Sequence, residues 1–349
     1  MSKPPIPAAP VPVQKRRGTA RARMTSPAAE SCQIGTLAGF LAHGAKPRQH
    51  SGMRPFVPGV LAVTCVLGVA HAEPDSLDDL LGPREIAVGE AMRAGATGAT
   101  AIGLNPAGLP LNRELVFEGG YGYRGSDSAS LVGVSACDST NAVPGCFFYS
   151  YAGSSPELGG MAMTRTAHIA GSSLSRQLVP RILIGATTKY FRFDSNVMAE
   201  EKKSGISFDL GATVRLTDQI NLGLSGQNLW GTEDSSHFPR AIGGGVFARP
   251  IPTFALSFDS RWKTDGSGAR YGGGAELFLR SSQMGYPLRV GALHDNELGA
   301  SYITGGIGIA NIKWGIDIAA RREVKGGDET LVLASMRFYG PRMPTPGVQ

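Results

Sequence analysis

The sequence contains little of what most soluble enzymes use for chemistry. Its 349 residues include only four Cys and six His, and none of them shows the spacing of a metal site. No glycine-rich phosphate loop follows a strand. No apolar run reaches the ~20 residues that a membrane-spanning helix requires. We therefore expect no catalytic residues, no metal and no cofactor.

Acidic residues are almost absent from the N-terminal part. Residues 1–72 hold nine of the 34 Lys and Arg but only one of the 28 Asp and Glu, Glu30. The remainder carries 25 basic and 27 acidic residues, so the formal charge of +6 belongs to the leader. Binding of nucleic acid through phosphates needs a basic surface on the folded part. The charge distribution thus argues against a nucleic-acid partner, and a binding arm at KRRGTARAR is the alternative left open.

A secretory signal peptide is predicted at residues 53–72, MRPFVPGVLAVTCVLGVAHA. Arg54 provides the positive start, an apolar run follows, and the small residues Ala70 and Ala72 flank the predicted cleavage site before Glu73. A membrane-spanning helix is the alternative, but the apolar run is too short. The signal peptide would direct export, and cleavage near Ala72 would release the mature chain.

Residues 1–52 are rich in Pro, Ala, Arg and Gly and show no periodicity. Such a segment cannot bury enough apolar surface to fold. We predict a disordered leader, or a segment that precedes the true start of translation at Met53. Because Cys32 and Cys65 fall in the parts expected to be removed, Cys137 and Cys146 remain, and in an exported chain they are expected to form a disulfide.

Alternating segments dominate from about residue 113, with no long amphipathic helix between them. In ISFDLGATVRL, residues 206–216, apolar side chains alternate with polar ones. This period of two is typical of a β-strand with one apolar and one polar face. TFALSFDSRW and IKWGIDIAAR repeat it. The polar faces carry charges in mid-strand: Asp209 and Arg215, Asp259 and Arg261, and Asp317 and Arg321.

The number and length of these segments favour one all-β architecture. We predict fourteen strands between residues 113 and 339, most of them nine to thirteen residues long. This length suits the ~9–11 residues of a tilted membrane strand better than the ~5–6 of globular sheets. Tight connectors also alternate with longer polar ones, as in outer-membrane barrels. The prediction is an antiparallel transmembrane β-barrel, with a soluble sandwich as the alternative.

Aromatic residues near strand ends are expected to form an interfacial belt: Tyr121, Tyr123, Trp230, Trp262 and Tyr339.

The segment before the first strand resembles the N-terminal signature of the FadL-like long-chain fatty-acid outer-membrane transporters and of the related PorV and PorQ group. The resemblance rests on a Gly/Ala-rich approach, residues 87–103, and on a turn that leads into strand one of a fourteen-stranded barrel. The turn consists of Asn105, Pro106, Ala107, Gly108 and Leu109. The resemblance implies that residues 73–112 form a plug, or hatch, that closes the lumen of a barrel at residues 113–339. Residues 340–349 would then be a C-terminal tail.

The resemblance implies a protein of the Gram-negative cell outer membrane, in contact with its lipids, that takes up hydrophobic, fatty-acid-like small molecules passively. The family's long outer loops capture the ligand, whereas the predicted outer loops here are short and polar. An accessory or structural barrel that partners envelope or secretion proteins is therefore the second hypothesis. Catalysis by a Ser with His168, His237 or His294 is the third, but no orienting Asp or Asn signature accompanies them. We predict that the chain is not an enzyme.

Overall fold

The computed structural model describes residues 82–155, 157–158, 161–197, 202–231 and 238–344. The predicted leader at 1–52 and signal peptide at 53–72 lie outside these residues and stay predictions. No helix in the described part of the chain is long and apolar enough to cross a membrane.

Fourteen long antiparallel strands close into a single barrel. The fold class predicted from the alternating pattern is therefore confirmed. The barrel strands are β1 (Glu114–Arg124), β2 (Ala129–Asp138), β3 (Gly145–Ser154), β6 (Arg165–Val179), β7 (Ile182–Ser195), β8 (Lys203–Arg215), β9 (Ile220–Gly231), β10 (Ala241–Ile251), β11 (Phe254–Lys263), β12 (Ala269–Ser281), β13 (Met284–Asp295), β14 (Ala300–Ala310), β15 (Trp314–Lys325) and β16 (Thr330–Arg342). A separate two-stranded pair, β4 (Glu157–Leu158) with β5 (Met161–Ala162), lies in the connector after β3.

Each barrel strand pairs with its sequence neighbour, and β1 also pairs with β16. Phe117 lies opposite Phe338 and Tyr121 opposite Ala334 in this closing ladder. Closure leaves no barrel strand with an open edge, which is the condition for a sheet in a bilayer, where no water can satisfy free backbone groups. The last strand continues to Arg342, three residues past the predicted end at 339.

The two faces of the strands are the reverse of those in a soluble protein. Apolar side chains point outward, with Phe208 39% and Leu256 46% exposed. Carboxylates point inward, with Asp259 4% and Asp317 1% exposed. A sandwich would bury the apolar face and solvate the charges, whereas a membrane barrel presents the apolar face to lipid. The direction of the faces therefore excludes the sandwich.

Inward-facing charges form ion pairs between strands. Lys189 on β7 binds Asp209 at 2.8 Å, and Arg289 and Arg337 both bind Asp317. These partners come from other strands, because register and closure bring inward side chains of different strands together. Asp209 and Asp317, two of the charges named from the sequence, are thus bound by basic residues of other strands.

The connectors sort onto two rims. At one end, called here the turn rim, the connectors are 139–144, 180–181, 216–219, 252–253, 282–283 and 311–313. At the other end, called here the loop rim, they are 125–128, 155–164, 196–202, 232–240, 264–268, 296–299 and 326–329. Five of the six turn-rim connectors have two to four residues, and the longest loop-rim connector has ten. This asymmetry is typical of outer-membrane barrels.

Four of the five aromatic residues expected in an interfacial belt face outward. Tyr121, Tyr123, Trp230 and Trp262 are 45–60% exposed on the outer surface. The prediction for Tyr339 was wrong: it faces inward and packs against the apolar cluster inside the barrel. Position 339 follows the outward Phe338 by one residue, and a period of two turns it to the lumen.

Candidate functional site

The described part of the plug, residues 82–112, lies within the lumen. It contains α1 (Pro83–Ala87), α2 (Ala99–Leu104) and a 3-10 helix (Pro106–Leu111). Helix α1 packs on β13–β16, and the 3-10 helix packs on β6–β8. These two groups of strands lie on opposite sides of the ring. The plug therefore spans the lumen from wall to wall.

Asn105 fixes the second half of the plug to the wall. Its side-chain amide donates hydrogen bonds to the carbonyl oxygen of Arg93 at 2.9 Å, to that of Ala212 at 3.2 Å, and to Oγ1 of Thr213 at 3.0 Å. Its Oδ1 accepts from the backbone N–H of Ala107 at 3.1 Å, which caps the 3-10 helix. Asn105 is fully buried. Pro106 follows it and favours its extended backbone, with φ −163° and ψ 101°.

Arg93 fixes the first half. Its backbone N–H donates to Oδ2 of Asp259 at 2.8 Å, and its guanidinium lies 3.8 Å from the same carboxylate. Nη1 of the guanidinium donates to the carbonyl oxygen of Leu104 at 2.8 Å and also contacts the hydroxyl of Ser225. Arg93 is 2% exposed. A buried arginine of this kind needs such partners, because an unpaired buried charge is strongly destabilising.

Glycines in the wall make room for the plug. A Cβ on Gly211 would overlap Oδ1 of Asn105, and one on Gly223 would lie 2.6 Å from the carbonyl oxygen of Arg93. A Cβ on Gly274 would lie 2.6 Å from the Cα of Val88. At these positions the absence of a side chain leaves the space that the plug backbone occupies.

The structure brings all five residues of the predicted turn together against the wall. Asn105, Ala107 and Leu109 are at most 1% exposed, and Pro106 and Gly108 are also buried. The turn thus lies inside the lumen against β7 and β8, where the 3-10 helix packs. Whether it gates passage stays a prediction. The anchor Arg93 was not singled out from the sequence, and Asp259 was named only as a charge on the polar face of its strand.

Cys137 on β2 and Cys146 on β3 are directly opposite each other in the ladder. The structure records a disulfide between them, and both are 1% exposed. They belong to the same apolar cluster as Ile102 and Leu104 of the plug. The pair therefore lies on the inner face of the β2–β3 hairpin.

An apolar cavity of about 170 Å³ lies on the loop-rim side of α1. Its apolar lining comes from both the plug and the wall: Ile102, Leu131, Phe148, Ile169, Phe238 and Leu333. At Gly120, Gly122 and Gly133 the wall has no side chain, so the cavity extends to the strand backbone. This arrangement can hold a small apolar molecule beside the plug.

Polar groups in the apolar cavity come from three sides. Lys189 has two partners, Asp209 and the Oδ1 of Asn228, each at 2.8 Å. Glu118 accepts a hydrogen bond from the hydroxyl of Ser335 at 2.9 Å. Glu85 of α1 is 3% exposed and lines the same cavity. Glu118 could have been found from the sequence, since it is the one charge in the inward series of β1 between Val116 and Gly122.

A second cavity of about 240 Å³ lies on the turn-rim side of α1 and is called here the arginine cavity. Its charged lining comprises Arg84, Arg249, Arg280, Arg289, Arg337, Arg342, Glu114, Glu118 and Glu276. Glu276 binds Arg289 at 2.7 Å. The guanidinium groups of Arg249 and Arg280 lie over Phe247 and Phe278, 5.4 and 5.5 Å from the ring centroids. Positive charge therefore predominates on this side of the plug.

The two described histidines lie on the outer surface. Nδ1 of His294 is 3.0 Å from Oγ of Ser301, and its Nε2 is 3.1 Å from Oδ1 of Asn296. His294 and Ser301 are directly opposite each other in the β13–β14 ladder, so cross-strand pairing alone explains their contact. His168 contacts the hydroxyl of Tyr149 at 2.8 Å. His237 lies outside the described residues, and within those residues no cluster of His, Cys, Asp or Glu could hold a metal ion.

Comparison with known proteins shows similarity at the level of structure. No protein-family model and no curated protein matches the sequence. The monoaromatic hydrocarbon channel CymD has a TM-score of 0.59 at 12% identity, over 76% of this chain and 98% of that chain. The Ralstonia pickettii toluene transporter TbuX has 0.58 at 12% identity, over 75% and 98%. A Pseudomonas aeruginosa FadL homologue has 0.56 at 9% identity, over 74% and 98%.

The chain has the FadL-like fold. The resemblance inferred from the Asn-Pro-Ala-Gly turn is thereby confirmed at the level of architecture. Identities of 9–12% carry the fold and not the substrate, because one fold serves many functions. The function of this FadL-like barrel must therefore be argued from its own lumen.

Proposed function

We propose that this FadL-like barrel is an outer-membrane channel for the passive uptake of hydrophobic small molecules. The observation that carries the proposal is the apolar cavity inside the lumen, beside the plug. An accessory barrel needs no such cavity, so we place uptake ahead of that alternative. The predicted signal peptide ending near Ala72 and the apolar outer surface support a location in the Gram-negative outer membrane, in contact with its lipids.

The size of the cavity narrows the class of ligand. An apolar cavity of about 150 Å³ is known to bind benzene, and the apolar cavity here measures about 170 Å³. A molecule with one aromatic ring fits this volume, whereas a long acyl chain exceeds it. The similar channels carry names that refer to toluene and monoaromatic hydrocarbons. The fatty-acid-like ligand expected from the sequence is therefore replaced, in this proposal, by a compact one.

Two glycines on neighbouring strands provide a matched test. Gly133 faces the cavity, and a Cβ there would contact only Oγ of Ser150, at 4.0 Å. Gly119 lies on the outward side of β1, where a Cβ would contact only Cγ1 of Val134, at 3.9 Å. Gly133→Leu should fill the cavity, while Gly119→Leu adds the same side chain toward lipid.

The measurement is the initial rate of uptake of radiolabelled ethylbenzene by cells that carry each variant in the outer membrane. Cells without the barrel set the baseline. We expect Gly133→Leu to remove most of the barrel-dependent rate and Gly119→Leu to retain it. An equal rate for both variants, or a native rate at the baseline, would reject the uptake proposal.

We also infer that the barrel is not an enzyme. The contact of Ser301 with His294 follows from their opposed positions on the outer surface. The purified barrel should therefore not hydrolyse nitrophenyl esters or phospholipids above the background rate. Hydrolysis by the native chain that disappears in Ser301→Ala would contradict the inference.

A further inference from the structure

Glu85 is a buried carboxylate without a partner. It is 3% exposed and lines the apolar cavity. Among the described residues none donates a hydrogen bond to its carboxylate or forms an ion pair with it. A buried charge of this kind is strongly destabilising unless it is paired. A missing partner is therefore the feature to explain.

A second carboxylate faces the same cavity. Glu118 projects inward from β1 and accepts one hydrogen bond, from Ser335. The two carboxylates carry charge of the same sign and repel each other. The Lys189 ammonium cannot compensate them, since it already binds Asp209 and Asn228. Glu118 lies opposite Arg337 in the β1–β16 ladder, and Arg337 also binds Asp317. The cavity therefore combines an apolar lining with one carboxylate that has no partner, Glu85, and a second carboxylate, Glu118, whose facing arginine is shared.

We propose that the apolar cavity binds small apolar amines, with the ring among Ile102, Leu131 and Phe148 and the protonated nitrogen between Glu85 and Glu118. An ammonium carries the three donors that these carboxylates lack, and its charge compensates theirs. The volume of about 170 Å³ limits the body of the ligand to about one ring. Anionic ligands of the same size are repelled by the same two groups.

The charges beyond α1 determine what happens to a bound amine. Arg84 and Glu85 are neighbours in α1, yet Arg84 lines the arginine cavity and Glu85 the apolar one. Six arginines in that next cavity oppose the onward passage of a cation. A bound amine therefore stays beside the plug, occupies the route of neutral molecules and slows their uptake. This last step rests on the proposed uptake function, whereas amine binding itself does not.

A matched ligand series tests the binding site. The mature chain in nanodiscs is equilibrated at neutral pH with labelled phenethylamine, phenethyl alcohol, ethylbenzene or phenylacetate, and retention by empty nanodiscs is subtracted. We expect phenethylamine to bind about tenfold more tightly than ethylbenzene, and phenylacetate most weakly. An amine that binds no more tightly than ethylbenzene would overturn the proposal.

Variants locate the charge that is responsible. Glu85→Gln keeps the shape of the side chain and should weaken phenethylamine binding about tenfold, with ethylbenzene unchanged. Glu118→Gln should also weaken phenethylamine binding. Glu297→Gln is the control, because Glu297 lies in a loop-rim connector and binds Lys263. Heat-modifiable migration on gels verifies that each variant is a folded barrel. An unchanged ratio of amine to ethylbenzene affinity in Glu85→Gln would overturn the assignment.

Competition separates this inference from the function on which its last step rests. Phenethylamine should slow the barrel-dependent uptake of ethylbenzene in native cells, but not in the Glu85→Gln variant. If ethylbenzene neither binds nor enters, the uptake proposal fails. If ethylbenzene binds and enters while the amine is not preferred, the amine site alone fails. If the amine binds without slowing uptake, the blocking step is wrong.

Discussion

The side-chain amide of Asn105 donates a hydrogen bond to the hydroxyl of Thr213, at 3.0 Å, and so joins the plug to β8. The same amide also binds two carbonyl oxygens, on Arg93 and Ala212. One buried side chain therefore holds two parts of the plug and one strand of the wall. This geometry makes Asn105 the most informative position for testing how firmly the plug is held.

Asn105→Ala should loosen the plug without unfolding the barrel. The change leaves buried acceptors unsatisfied at a cost on the order of 2–3 kcal/mol. Trypsin cleavage after Arg93 should accelerate more than tenfold, while heat-modifiable migration is retained. Asn141→Ala is the control, since Asn141 is exposed in the 139–144 connector. Equal cleavage rates in the two variants would show that Asn105 does not hold the plug.

Gly211→Ala should destabilise the seat of the plug. The added Cβ overlaps Oδ1 of Asn105 and lies 3.0 Å from Cδ of Pro106, and overpacking of this kind costs about 1–3 kcal/mol. We expect a lower midpoint for the heat-induced change in gel migration and faster plug proteolysis. Gly119→Ala, with a free outward position, should match the native chain. A native-like Gly211→Ala would mean that the plug does not sit against β8.

Deletion of residues 86–108 should open the lumen. This segment contains α2 and the Asn105 and Arg93 anchors, and it spans the barrel between opposite walls. The deleted barrel should conduct ions in planar bilayers, where the native barrel conducts little. Heat-modifiable migration serves as the folding control. An unchanged leak in a folded deletion variant would remove the closing role of the plug.

Reduction of the Cys137–Cys146 pair should weaken the barrel moderately. The cross-link closes a short loop, with a sequence separation of nine, for which the loop-entropy estimate is about 2–3 kcal/mol. Cys137→Ser with Cys146→Ser should lower the guanidinium unfolding midpoint, and reductant should lower that of the native chain equally. Mass spectrometry after alkylation checks the pairing directly. Two freely alkylated thiols in the native envelope protein would contradict it.

Export should leave Glu73 as the first residue of the mature chain. The small residues before Glu73 and the apolar run upstream form a signal-peptide pattern. Mass spectrometry of the N-terminus of the chain in the outer-membrane fraction checks the cleavage site. A chain in that fraction that still begins at Met1 would show that residues 1–72 are retained and require a role of their own.

Much of the wall could be predicted because a membrane strand repeats one rule. In residues 206–216 the alternation alone indicated which side chains share a face, and Ile206 and Phe208 lie on the exposed face. The same rule fixes strand length, since every strand crosses a bilayer of similar thickness. Tyr339 was placed on the outer surface because it lies near a strand end. The alternation itself assigns it to the inner face, since the adjacent Phe338 faces outward.

The interior could be predicted only in part. The Asn-Pro-Ala-Gly turn carries its own local geometry, so its position as an entry turn was readable. The partner of Asp209 was not, because Lys189 reaches it only through the register of β7 with β8. The position of Glu85 in the apolar cavity depends on how α1 is oriented within the barrel, which no local sequence pattern encodes. Contacts between distant segments are determined by closure of the barrel.

The pairing of β1 with β16 means that the first and last strands of the sheet complete each other. Because synthesis proceeds from the N-terminus, β16 is the last strand to be made, and β1 cannot pair with it before then. A chain truncated before Thr330 would retain two open edges able to recruit other chains. Only a polypeptide that includes β16, through Arg342, can therefore close into a barrel without unpaired strand edges.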